Sequence, residues 1–154
     1  MLSELESDIA IGNVYVSKVT HPGTEPIYFD LMRDAFAKSD ASALAREIAS
    51  SGIVRSTQDN GNAVNLVDAA ARLGDGQFVA YYARAVCLRA ISAGREIEIY
   101  RGQDTAVHRH ESDIAISSRP DPVGVLEELR THSLEPWRFS TIAKVNSGLS
   151  IKLA

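Results

Sequence analysis

Little in this chain announces a chemistry, and the absences narrow what it can be. It has one cysteine, Cys87. One thiol cannot close an internal disulfide, so a reducing, cytoplasmic compartment is expected. No apolar run reaches the length of a membrane span, so no membrane partner is expected. The opening MLSELESDIA carries three acids and no base, unlike the basic start of a secretory signal. Basic residues are not in excess either. The net charge is -4, and residues 1–70 hold ten acidic against five basic side chains. A broad nucleic-acid surface is therefore not expected. There is no Gly-x-Ser-x-Gly elbow, no P-loop and no cysteine beside a histidine. Gly74-Asp75-Gly76 lacks the third glycine of a dinucleotide fingerprint and follows a helix rather than a strand.

What is present is a foldable amphipathic pattern. With 154 residues, 45% hydrophobic and 23% charged, the chain suits a single globular domain over residues 1–154. The stretch from Asp75 to Gly102 organises the rest. Val79, Tyr82, Ala83, Val86, Cys87, Ala90 and Ile91 recur at steps of three and four, widened by Phe78 and Leu88. This is the apolar stripe of a central helix, capped by Asp75 and stopped by Gly94. Arg84, Arg89 and Arg95 fall off the stripe or along its edge, and with Arg72 they could form a basic ridge. Glu96–Arg101 then alternates as a strand, with Ile97 and Ile99 inward.

Upstream, Ile9–Val19 alternates around Gly12-Asn13 and reads as a small hairpin. Three helices follow. The first, over Ile27–Lys38, carries Ile27, Leu31, Met32, Ala35 and Phe36. The second, capped by Ser39 or Asp40, carries Leu44 and Ile48 and closes at Gly52. The third runs from Ala63 to Leu73 and ends at Gly74. Downstream, Thr105–Arg109 reads as extended and Ile114–Ser117 as a short strand. Asp121 and Pro122 open a fifth helix, with Val123, Leu126 and Leu129 inward. Trp137–Val145 and Leu149–Leu153 alternate as a final hairpin around Asn146-Ser147-Gly148. The expected fold class is α+β: four consecutive helices in the first half plus a fifth, with an antiparallel or mixed sheet from N-terminal, central and C-terminal strands.

Two patches invite chemistry. In VHRHESD, His108 and His110 would share one face of a strand, as two imidazoles sharing a metal do, and Glu111 would point the other way unless the strand ends there. Gly102, His108 and His110 have a spacing that resembles the first half of a cupin metal motif. That resemblance would imply a metal site on a β-barrel. The family's glutamate is missing, since Ile114 or Ala115 stands at its place, and no second histidine motif follows. Ile99-Tyr100-Arg101-Gly102 resembles the arginine strand of ADP-ribosyltransferases, and Phe139-Ser140-Thr141 their later Ser-Thr-Ser strand. This resemblance would imply that Arg101 binds a nicotinamide cofactor. The family's catalytic glutamate should follow that later strand, but no acid follows Glu135, and Glu96-x-Glu98 lies upstream. The candidate residues are thus Arg101 for a cofactor and His108, His110 and Glu111 for a metal. Trp137 is either core or an interface anchor.

With the catalytic signatures missing, the expectation is a non-catalytic intracellular protein without a bound cofactor. It would act through protein–protein contacts, as a self-associating assembly component pairing through its hairpin edges. The alternative is a small metal- or ligand-binding enzyme using His108, His110 and Arg101.

Overall fold

The computed structural model describes residues 1–103, 110–144 and 147–154. The described elements are α1 (Leu2–Ile11), α2 (Glu25–Lys38), α3 (Ala41–Ser50), α4 (Leu66–Ala93), β1 (Ile97–Arg101), α5 (His110–Ala115), α6 (Pro122–Thr131), a 3-10 turn (Pro136–Arg138) and β2 (Leu149–Leu153). The class is α+β. The chain forms two compact units. A helical unit comprises Tyr15–Phe78 with Leu2, and an α/β unit comprises Met1, Ser3–Val14 and Val79–Ala154. The division falls inside α4.

In the helical unit, Tyr28, Met32, Ala35 and Phe36 bury one face of α2, while Ile27 is exposed. The Asp40 carboxylate accepts from the Ala43 amide at 3.0 Å and starts α3, whose Leu44 and Ile48 are fully buried. Phe36 meets Phe78 edge-on, with centroids 5.7 Å apart. The expected break at Gly74 is absent. Helix α4 runs through Gly74, Asp75 and Gly76 as one 28-residue element, so the third and fourth expected helices are one. Gly74 is there for proximity. A Cβ on it would lie 2.9 Å from the Cα and N of Ala45. A glycine that resembles a stop is the point where α3 and α4 touch.

In the α/β unit, Ala83, Cys87 and Ala90 of α4 share a core with Ile97 and Ile99 of β1, Leu126 and Leu129 of α6, and Ile151 of β2. Ile97 and Ile99 are 0% and 4% exposed, as expected of the inward positions, and their burial contributes roughly 3–6 kcal/mol before entropy. β1 and β2 pair antiparallel, with Ile97 opposite Leu153 and Arg101 opposite Leu149. The Gly102 amide donates to the Gly148 carbonyl and the Ala154 amide to the Glu96 carbonyl. In that alternation Ile99 points its backbone to the other edge, where its amide donates to Ser118 O and its carbonyl accepts from Ser117 N.

The remaining strand expectations are corrected. The N-terminal hairpin expected over Ile9–Val19 is absent: Ile9–Ile11 close the helix α1, and residues 13–19 carry no strand. Gly12, at φ 70°, caps it, with its amide donating to Ile9 O and the Asn13 amide to Asp8 O. Gly-Asn serves a left-handed cap as readily as a hairpin turn. Ile114–Ser117 is no strand: α5 reaches Ala115 and Ser117 turns left-handed, at φ 67°. The first arm of the final hairpin is not extended either. Pro136 opens a 3-10 turn, and the Glu128 carboxylate accepts from both the amide (2.6 Å) and hydroxyl (3.1 Å) of Ser140. Ala143 then adopts φ 57°. The second arm, β2, is a strand as expected. Asp121 caps α6 through the amides of Val123 and Gly124, but Val123 is exposed and Val125 takes the inward place. The stretch Thr105–Arg109, and Val145, lie outside the described residues.

Candidate functional site

Arg101 ends β1 with its guanidinium 2.5 Å from the Asp113 carboxylate and 3.4 Å from the Ser147 carbonyl. Both acceptors belong to the chain itself, so the residue expected to bind a cofactor closes an internal ion pair. His108 lies outside the described residues. His110 is exposed and opens α5, with Glu111 next in the same helix, so no strand carries His110. Among the described residues no group of three or more His, Cys, Asp or Glu side chains could hold a metal ion. Two of the four arginines that could form a ridge are engaged within the chain. Arg95 donates to the Ala154 carbonyl, and Arg84 is 1% exposed.

Arg84 is the residue that the hydrophobic pattern misplaces. It stands inside the buried stripe of α4 between Tyr81 and Cys87, and among the described residues it is the largest fully buried side chain. Its Nη1 donates to Asp8 Oδ2 at 2.6 Å and lies 3.8 Å from Glu4 Oε2. Its Nη2 donates to Leu129 O and Ser133 Oγ, each at 2.9 Å. The guanidinium also sits 4.8 Å from the Tyr81 ring centroid. The Tyr81 hydroxyl donates to the same Asp8 oxygen at 2.8 Å, and Ser133 Oγ reaches it at 3.3 Å. Beside them, Arg130 grips Glu4 with two parallel bonds of 3.0 and 2.7 Å. Two carboxylates from α1 therefore face two guanidinium groups from α4 and α6, within the α/β unit.

The electrostatics follow from this packing. Burial, and then the hydrogen bond to Asp8, push the Tyr81 hydroxyl well above its ordinary range. The Glu4 hydrogen bonds raise Arg130 further. Burial pushes the Cys87 thiol up to about 12, so it is a packed, protonated side chain rather than a nucleophile. Chemically the cluster fastens elements together, since each carboxylate is already neutralised and hydrogen-bonded. Breaking such a buried pair by removing one partner costs about 3–5 kcal/mol. One sequence signal could have found it: Glu4, Leu5 and Asp8 lie on one face at helical spacing.

Comparison with known protein families, with curated proteins and with solved structures gives no match to this chain. Among the described residues no helix is long and apolar enough to cross a membrane.

Proposed function

We propose that this chain is a non-catalytic cytoplasmic protein that works through protein–protein contacts, self-associating as an assembly component. The observation that carries the reading is Trp137, the sole tryptophan, 59% exposed with Leu134 also exposed three residues before it. The 3-10 turn beneath it is fastened by the Arg138–Glu135 ion pair at 2.9 Å. Of the two roles open to this residue, core or anchor, its exposure supports the anchor. Large aromatic side chains on a fixed support are the side chains that dominate interfaces. The polar clusters support the same reading, because Arg84, Asp8, Glu4 and Arg130 neutralise one another. The edge-pairing hairpins expected from the sequence no longer contribute, since only β2 of them is a strand.

The test is light scattering over a wide concentration range, read together with tryptophan fluorescence. The expected result is an oligomer whose emission shifts to the blue as it forms. Trp137→Ser should return the monomer with its far-UV circular dichroism unchanged. A monomer at every concentration, with the emission of a water-exposed indole throughout, would refute the reading.

A further inference from the structure

We propose that the surface of the α/β unit beneath α1 is a docking site for the α1 helix of a second copy, so that dimers form by reciprocal exchange of this helix. The inference rests on the self-association proposed above and adds to the contact anchored by Trp137 a second one between the same two copies.

The motive is how α1 is held. Only Glu4, Leu5 and Asp8 of α1 are buried, so the helix docks through one leucine and two carboxylates. The surface that receives it offers the complement: the Tyr81 hydroxyl, the Arg84 and Arg130 guanidinium groups and the Ser133 hydroxyl. Charge across this contact is one-sided: the carboxylates stand on α1 and the guanidinium groups on the receiving side. Most hydrogen bonds follow it, with Ser133 Oγ also donating to Asn13 O at 2.8 Å, while the Asn13 side-chain amide donates back to Arg130 O at 3.5 Å. Key and lock are therefore distinct, and every copy carries both.

Connectivity permits the exchange. The chain leaves the α/β unit after Val14 and re-enters it at Val79, so Tyr15–Phe78 is the tether between α1 and the surface that receives it. No short loop ties helix to receptor. A second copy presents an identical helix, so each ion pair and hydrogen bond lost within a chain is regained between chains. That is why exchange of an identical element is a low-cost route to a symmetric dimer.

Charge exchange tests this in full-length protein. Glu4→Arg and Arg130→Glu each place like charges across the contact, whether it forms within or between chains. In an exchanged pair made by co-refolding the two variants, both contacts are again matched. The expected result is a heterodimer at the expense of either homodimer. Should either variant fail to fold, Arg130→Lys keeps the charge and allows carbodiimide coupling of the new amine to Glu4. After co-refolding equal amounts of isotopically heavy and light chains, exchange predicts that about half of the coupled peptides join a heavy segment to a light one, the share that random pairing of copies gives. Only single-isotope coupled peptides in a chain that still oligomerises would overturn the exchange and leave self-association standing. Only single-isotope peptides in a monomeric chain would remove both.

Discussion

Replacing Gly74 and Gly76 by alanine, one at a time, should move stability in opposite directions. Both glycines lie inside α4, so helix propensity favours alanine at either by about 0.5–1 kcal/mol. At Gly76 nothing lies within 4 Å of an added Cβ, and the gain should appear in full. At Gly74 the methyl would sit 2.9 Å from both Cα and N of Ala45 and 3.3 Å from its Cβ. These are mainly backbone atoms, which cannot rotate away. Helix α3 would have to retreat, and with it the fully buried Leu44 and Ile48. Overpacking of this kind costs about 1–3 kcal/mol, which exceeds the propensity gain. The two variants should differ by roughly 2 kcal/mol, or about 4–8 °C in melting temperature for a chain of this size. Urea denaturation followed by circular dichroism measures both. If Gly74→Ala were as stable as Gly76→Ala, the close crossing of α3 and α4 would be wrong.

Other perturbations probe the α/β unit. Arg84→Met leaves Asp8 buried and uncompensated and should lose about 3–5 kcal/mol. Adding Asp8→Leu should recover much of that loss in a double-mutant cycle, and simple additivity would argue against the pair. Cys87 should resist thiol reagents at pH 8 until the protein is unfolded, and rapid labelling of the native protein would contradict its burial. Because its folded value is raised from 9.0 to about 12, its contribution is complete below pH 9 and is lost as pH rises towards 12. The slope should be about 1.4 kcal/mol per pH unit, less steep in Cys87→Ala, and Tyr81 acts in the same direction. Asp121→Ala removes the cap of α6 and should cost about 1 kcal/mol, with Asp121→Asn recovering most of it; equal loss in both would point away from capping.

Local signals with one physical meaning were legible in the sequence. Alternation over Glu96–Tyr100 places two isoleucines inward, and the β1 register agrees. Asp40 and the Asp121-Pro122 pair mark helix starts because side-chain acceptors near exposed amides have few other uses. Signals with two physical meanings misled. A left-handed Gly12 suits a hairpin or a helix cap, and the choice depended on whether α1 had somewhere to dock. Gly74 suits a helix end or a close helix contact, and only the position of Ala45 decides. The alternation from Trp137 onward carries no sign of Glu128, whose carboxylate occupies the Ser140 amide that a strand would need. The pairing of the two candidate histidines rests on a strand geometry that His110, at the start of α5, does not share.

Arg84 went unread for a deeper reason. A periodicity search assigns arginine to water, and the partner that makes its burial possible lies 76 positions away. Apolar side chains could hold α1 with comparable strength, so strength is not what distinguishes a buried ionic contact. What it adds is a penalty on slippage. If α1 slid by one turn so that Asp8 faced Arg130, Gly12 would arrive at Arg84, which would lose its carboxylate partner at 2.6 Å. A loss of about 3–5 kcal/mol guards against that alternative, whereas a leucine seam would slide for far less. The exchange proposed above would obey the same discrimination, since carboxylates spaced as Glu4 and Asp8 match the receiving arginines. The residue that a catalytic reading of this chain would pass over is thus the one that holds α1 in place.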